Sequence, residues 1–189
     1  MVKLDNTAKK YREYTTNIIK ELFSYLPYEK KAELRDFVSS YNQSDFERIC
    51  CCLELNNGGQ FVDTNFHFRE EVASYIIINY SSDVSDELLR DLYIECAKCS
   101  KELNGSSEYI PFIAEFLIRQ TGEKYIKDFC LYLCSSFDFY GACISIDLFD
   151  YNVKQLIESI KKFREQSTVE DECRAYDNGV DFLKRYLRE

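Results

Sequence analysis

His67 is the only histidine in the chain and therefore the first residue to test for catalytic chemistry. A Ser-His-Asp or Cys-His arrangement would have to use it, and a metal site built on two histidines is excluded. Phe66 and Phe68 flank it at the start of a predicted helix. Because this setting is typical of a structural or surface residue, we do not expect His67 to be catalytic.

Two pairs of cysteines offer a second kind of chemistry. Cys96 and Cys99 are separated by two residues, Cys130 and Cys134 by three, and together they could supply four thiolates to a zinc ion. Structural zinc sites usually place such pairs in tight turns, whereas both pairs here fall within apolar helical stripes. Cysteine in that position serves as a small buried hydrophobe. The sequence therefore favours buried thiols and no metal, with a zinc site left as the alternative.

Three further cysteines are adjacent, at residues 50–52. On a predicted helix their side chains point in different directions, which suits a reducing compartment better than a disulfide framework. The charged segment 1–20 lacks the apolar run of a signal peptide, and no apolar stretch is long enough to span a membrane. These features predict a cytoplasmic protein that does not contact a membrane.

The motifs that bind phosphates or present a nucleophilic serine are missing from the sequence. The glycine pair at residues 58–59 lacks the lysine and the serine or threonine of a phosphate-binding loop. Carboxylates are paired at helical spacing at Asp83 and Glu87, but the ExxH motifs of a di-iron site are absent. We therefore expect no cofactor and no enzymatic activity.

Long helices must carry most of these residues. The chain of 189 residues has six glycines and two prolines, where average usage would give about 13 and 9. Apolar residues recur at helical spacing, most clearly from Val84 to Leu103. Ser167 with Glu170 predicts a capping box at a helix start, and residues 178–179 predict a turn before a short last helix.

Two segments are harder to interpret. Ser44 with Glu47 predicts a capping box that opens a third helix, which the Asn-Asn-Gly-Gly sequence at 56–59 ends. Residues 142–149 fit the alternation of a strand and also a helix, and we favour a helix because a single strand would have no pairing partner. The sequence thus predicts an all-α protein in which residues 1–189 form one compact single-domain bundle of nine or ten helices.

The net charge of −9 is concentrated in the middle of the chain. Residues 42–100 carry 11 acidic and 4 basic side chains, whereas residues 1–41 carry 6 acidic and 8 basic ones. Acidic residues at helix starts complement the helix dipole, which explains their placement. The lack of compensating lysine and arginine along the same helices instead indicates an electronegative face that attracts a basic partner and disfavours nucleic acid. The residues we expect to bind such a partner are Glu70, Glu71, Asp83, Asp86, Glu87 and Asp91.

Together these features predict a non-enzymatic acidic helical protein that binds and inhibits or regulates another protein, as toxin-immunity and anti-defence inhibitors do. The expected partner has a basic surface. The alternative is a helical adaptor, similar to apoptosis regulators, that receives an amphipathic partner helix in an apolar groove. Salt dependence distinguishes the two hypotheses, because only the first depends on electrostatic attraction.

Overall fold

The computed structural model describes residues 6–80 and 83–187, and it confirms the all-α class, with 69% of the chain in helices. The first half of the chain contains α1 (Asn6–Ser24), α2 (Tyr28–Ser40), a 3-10 helix (Gln43–Arg48), β1 (Leu53–Leu55), β2 (Phe61–Asp63) and α3 (Phe66–Asn79). The second half contains α4 (Asp86–Leu103), α5 (Ile110–Thr121), α6 (Ile126–Leu133), α7 (Phe137–Cys143), α8 (Lys154–Gln166) and α9 (Glu170–Lys184).

The boundaries of α4 follow from its local sequence. The Ser85 hydroxyl accepts a hydrogen bond from the backbone N–H of Leu88 at 3.2 Å, which caps the first turn. Asp86 and Glu87 follow in that turn, where they complement the helix dipole. Asn104 ends the helix in the left-handed conformation, with φ of 52°, a conformation that asparagine tolerates better than most residues.

The apolar core surrounds α4 and extends to α6 and α9. Tyr93 is fully buried, and its ring stacks on Phe129 at 5.5 Å and meets Phe139 edge-on at 5.2 Å. Its hydroxyl donates to the carbonyl of Phe129 at 3.0 Å, so the buried polar atom is satisfied. Phe182 brings α9 onto the same cluster, 5.7 Å from Phe129. This aromatic cluster packs α4, α6, α7 and α9 against one another.

Glycine at position 179 does not form the predicted turn. Residues 178–179 lie inside α9, so the prediction of a separate short last helix is wrong. A Cβ atom at Gly179 would clash with the Cys130 sulfur. The glycine is therefore needed because α6 and α9 pack closely, and not because the backbone turns. The predicted capping box upstream is also absent, since Val169 is the N-cap and Ser167 accepts from its N–H at 3.2 Å.

The prediction of a third α-helix that begins at Ser44 is also wrong. Residues 43–48 form a 3-10 helix, capped by Asn42 and Asp45 instead of the predicted Ser44 and Glu47. The chain then enters an antiparallel hairpin in which Leu53 pairs with Asp63. The Asn-Asn-Gly-Gly sequence forms the hairpin turn instead of a helix end. The Asn56 side chain accepts from two backbone N–H groups of this turn, and Gly59 adopts a φ of 73°.

Residues 142–149 form neither a strand nor the helix that we favoured. α7 ends early in this segment, and a series of turns follows. Ile146 is buried while the backbone around it bonds to side chains: the Tyr186 hydroxyl donates to the Ile146 carbonyl at 2.7 Å, and Arg12 donates to the Ser145 carbonyl at 2.9 Å. Long-range side-chain contacts thus replace the regular hydrogen bonds that a periodic pattern predicts.

Among the residues that the structure describes, no helix combines the length and the apolar character that crossing a membrane requires.

Candidate functional site

A buried ion pair joins the hairpin to α3. The guanidinium of Arg69 contacts the carboxylate of Asp63, and the two side chains are 3% and 1% exposed. The same guanidinium donates to the carbonyls of Ile49 and Cys50, both at 3.1 Å. We call Asp63, Arg69, Glu95 and the two cysteines beside them, Cys51 and Cys99, the polar cluster.

The polar cluster supplies hydrogen bonds to a segment that has few of its own. Asp63 accepts from the N–H groups of Cys52 and Asn65, both at 3.1 Å. Glu95, on α4, accepts from the N–H of Cys51 at 2.8 Å and pairs with Lys98. Because a buried backbone group without a partner is costly, these carboxylates allow the irregular chain to lie against α4.

A disulfide bond also connects this segment to α4. It joins Cys51 and Cys99, whose Cα atoms are 5.7 Å apart, while the other seven cysteines are free. The sequence prediction that the adjacent cysteines do not form a disulfide is wrong for Cys51. The reason is that residues 50–52 lie between the 3-10 helix and β1 and not on a helix, so the Cys51 side chain reaches across to α4.

The four cysteines considered for zinc do not assemble into one site. Cys99 is bonded to Cys51, and Cys130 is buried against Gly179. Within residues 6–80 and 83–187, one group of three potential ligands comes close enough for a metal: Cys51, Cys99 and Asp63, with ligand atoms within 4.8 Å of one another. Asp63 already accepts from two backbone N–H groups and from Arg69, so its oxygens are engaged.

A cavity of about 250 Å³ opens beside the polar cluster, between α3, α4 and the loop before α5. We call it the α3–α4 cavity. Its walls are mostly apolar, and Cys96 and Cys99 line it on the side of the polar cluster. The apolar residues lining it are Phe66, Ala73, Leu92, Leu103, Tyr109 and Ile113.

Glu70 places a carboxyl group in this apolar wall. Burial raises its pKa to about 7, although a hydrogen bond with Ser107 and the charge of Arg69 oppose that shift. Ser106 lines the same cavity, and its hydroxyl oxygen is buried without a hydrogen-bond partner within the described chain. Burial also raises the pKa of Cys96 to about 11, so its thiol stays protonated. The cavity therefore offers an incoming ligand the Glu70 carboxyl, which titrates near neutral pH, and the unpaired Ser106 hydroxyl.

A second cavity of about 250 Å³ lies on the α1 side of Glu70, and we call it the α1–α3 cavity. Glu70 and Tyr109 line both cavities. His67 lies in the second one, beside Leu22 and Glu71. Ser74, Glu70 and Glu71 line this cavity together with His67, but no hydrogen bond joins the imidazole to any of these side chains in the described chain.

The six acidic residues predicted to bind a partner are separated into several environments. Glu71 pairs with Lys30 of α2 at 3.0 Å. Asp86 and Glu87 both pair with Lys124, at 3.0 and 3.1 Å. The lysines that compensate Glu71, Asp86 and Glu87 therefore lie on other elements of the fold. A comparison of charges along single helices could not find them. Glu70 lines both cavities, Asp83 is exposed just before α4, and buried Asp91 accepts from the Tyr41 hydroxyl at 2.8 Å.

Sequence reasoning missed Asp63 and Arg69 altogether. Arg69 falls on the inner face of α3, so an arginine among apolar positions was the available signal for a buried pair. The partner of that arginine could not be inferred, because Asp63 was expected in a loop after a helix and not on a strand.

Comparison with known proteins identifies no relative. No family model matches the chain, and neither do the curated proteins or the solved structures.

Proposed function

We propose that this chain is a non-enzymatic cytoplasmic protein that binds another protein with a basic surface and thereby inhibits or regulates it. Recognition takes place at the α3–α4 cavity, where the partner inserts an apolar side chain and places a lysine or arginine beside Glu70. The observation that carries the proposal is the Glu70 carboxyl group in the wall of a mostly apolar cavity, where Arg69 is engaged by Asp63.

The cavity is large enough to take a side chain of a partner protein. Its volume is about 250 Å³, whereas pockets for drug-sized molecules range from about 300 to 1,000 Å³. One or two aliphatic or aromatic side chains fill such a space, and apolar anchors in pockets dominate the energetics of many protein interfaces.

Glu70 gives the site its preference for a basic partner. Its pKa of about 7 means that both the neutral and the ionised forms are populated at neutral pH. A partner ammonium or guanidinium group within a few ångströms favours the ionised form, so binding releases a proton. The partner's charge thus offsets the unfavourable burial of this carboxylate.

Exposed tyrosines on the neighbouring elements extend the surface. Tyr25 and Tyr28 are 75% and 78% exposed at the junction of α1 and α2, and Leu22 is exposed at the edge of the α1–α3 cavity. Tyrosine combines a large apolar area with one hydrogen-bonding group and is common among the residues that contribute most to binding. These side chains support a protein partner in preference to a small molecule.

The mostly apolar lining also favours the alternative function, an adaptor that receives an amphipathic helix. In that case apolar burial dominates, and the affinity changes little with salt. The proposed electrostatic recognition instead weakens as the ionic strength rises.

The test is affinity capture from the source organism with three matched baits. The baits are the wild type, Glu70→Gln, which keeps the shape of the side chain but removes its charge, and Glu71→Gln as the control. A fourth bait, Ala73→Leu, narrows the cavity from its wall. Thermal unfolding of each bait verifies that the variants are folded.

We expect one basic protein that is retained by the wild type and by Glu71→Gln, and that is lost with Glu70→Gln and with Ala73→Leu. Its retention should fall as salt is raised. Equal retention on all four folded baits would refute the proposed site. Loss on Ala73→Leu alone, without salt dependence, would support the adaptor function instead.

A further inference from the structure

The disulfide of the polar cluster has an unusual setting. The Cys99 sulfur lies 3.3 Å from the Arg69 guanidinium and 2.9 Å from the Asp63 carboxylate. Cys99 is 7% exposed, whereas Cys51 is only partly buried. From this arrangement we infer that Cys51–Cys99 is a redox-active site, at which the disulfide exchanges reversibly with an external dithiol.

Two charges act in opposite directions on a departing Cys99 thiolate: the Arg69 guanidinium at 3.3 Å stabilises it, and the Asp63 carboxylate at 2.9 Å destabilises it until the sulfur is protonated. A disulfide breaks faster when the departing thiolate is stabilised, and a cation in contact with the sulfur provides that stabilisation. Arg69 is in contact with Cys99 and is held there by its bonds to Asp63 and to the Ile49 carbonyl. Because Cys99 is buried and Cys51 is only partly buried, the incoming thiolate attacks the Cys51 sulfur.

The exchange balances in two steps. One thiolate of the dithiol forms a bond to the Cys51 sulfur, and the Cys51–Cys99 bond breaks, releasing Cys99 as a thiolate that takes up a proton. The second thiolate of the dithiol then attacks the other sulfur of the same dithiol, which is bonded to Cys51. This step releases Cys51 as a thiolate, which is protonated in turn. The protein disulfide is reduced to two thiols, and the dithiol is oxidised to a disulfide.

The reduced form also has polar partners in place. The Cys99 thiol can donate to the Asp63 carboxylate, and the N–H of Cys51 donates to Glu95. The Asp63–Arg69 pair still connects the hairpin to α3. Because these contacts do not depend on the covalent bond, the segment stays in place when the disulfide opens, and the reaction can reverse.

The experiment uses the full chain equilibrated in buffers with varied ratios of reduced to oxidised dithiothreitol. After quenching, free thiols are labelled with a mass tag and counted, and the helical circular dichroism signal is recorded. We expect the count to rise from seven to nine in one two-electron transition, with the helical signal retained. Cys50→Ser, a neighbouring control, should show the same transition, starting and ending one tag lower.

A second arm tests the direction of attack with glutathione disulfide as the probe. Cys99→Ser leaves Cys51 accessible, and we expect a mixed disulfide on Cys51. Cys51→Ser leaves the buried Cys99, and we expect little modification. Modification of Cys99 instead of Cys51 would overturn the proposed route.

Two results would overturn the redox site itself. One is a disulfide that resists dithiothreitol until the chain is unfolded. The other is a protein with nine free thiols at every ratio that binds zinc through Cys51, Cys99 and Asp63, as shown by metal analysis and by release with a chelator. Neither result bears on the capture experiment with Glu70→Gln, so the two proposals can fail separately.

Discussion

The hairpin segment, residues 49–65, and the helical core around α4, α6 and α9 are held together by different means. In the core, backbone groups bond within their own helices, and apolar burial around Tyr93 and Phe129 stabilises the packing. In the hairpin segment, Asp63, Arg69 and Glu95 supply hydrogen bonds, and a disulfide adds a covalent connection. The reactive and titratable groups of both proposals lie in the hairpin segment or beside it.

This difference predicts that the two regions tolerate substitution differently. An apolar core loses stability roughly in proportion to the contacts and the volume removed. A buried ion pair behaves otherwise, because removal of one partner leaves an uncompensated charge in a low-dielectric environment. Removal of a buried charge of the polar cluster should therefore be at least as damaging as truncation of an apolar side chain in the core.

The sharpest test of that contrast is Asp63→Ala. It leaves Arg69 without its carboxylate partner and two backbone N–H groups without an acceptor. We expect the free energy of unfolding to fall by about 3–5 kcal/mol, measured by urea denaturation. Asp181→Ala, which breaks an exposed pair with Lys184, is the control and should change it by less than about 1 kcal/mol. Similar losses for both variants would contradict the role of the polar cluster.

Reduction of the disulfide should have the next largest effect. Cys51 and Cys99 are 48 residues apart in sequence, so the bond restricts a long loop of the unfolded chain. We expect Cys51→Ser to lower the free energy of unfolding by about 2–4 kcal/mol relative to the oxidised wild type. The same difference should appear when the wild type is unfolded with and without reductant. If reductant lowers the stability of Cys51→Ser as well, another bond is responsible.

In the helical core, Gly179→Ala should destabilise by overpacking. The new Cβ atom would meet the Cys130 sulfur, and relief requires α6 and α9 to move apart, at a cost of about 1–3 kcal/mol. Gly105→Ala is the matched control, since no atom lies within 4 Å of the methyl group that this substitution adds. Adding Cys130→Ala to Gly179→Ala should recover part of the loss, and a failure to recover would mean that the close approach is not the cause.

The smallest effect is the pH dependence contributed by Glu70. Its folded pKa of about 7 lies above the ordinary glutamate value of 4.5, so the unfolded chain gives up this proton at lower pH than the folded one. The contribution to stability is therefore lost as the pH rises from 4.5 to about 7 and is constant above. Because the side chain is only partly buried, we expect about 1–2 kcal/mol after allowance for solvent screening. Glu70→Gln should flatten this part of the profile of unfolding free energy against pH, whereas Glu71→Gln should not.

The sequence predicted the helical core better than the hairpin segment, for physical reasons. α4 has a serine cap, acidic residues in its first turn and an asparagine at its end, and these signals act locally. The strands Leu53–Leu55 and Phe61–Asp63 are three residues long, too short for a period to be visible. The Asn-Asn-Gly-Gly sequence suits a helix end as well as a hairpin turn, so local chemistry could not decide between them.

The candidate site was predicted only in part. Glu70 was among the expected binding residues, but its place in an apolar wall depends on how α3 packs against α4. The ion pairs of Glu71, Asp86 and Glu87 join residues on different elements, far apart in the sequence, and no pattern along one helix reveals them. Ion pairs between residues far apart in the sequence therefore decide which acidic side chains are left to bind a partner protein.

The affinity of the captured partner for the wild type and for Glu70→Gln, measured at low and high salt, tests the central claim most directly. We predict that at low salt the variant binds at least about tenfold more weakly, a difference of about 1.4 kcal/mol, and that the difference shrinks as salt is raised. Equal dissociation constants for the two folded proteins at every salt concentration would contradict the account.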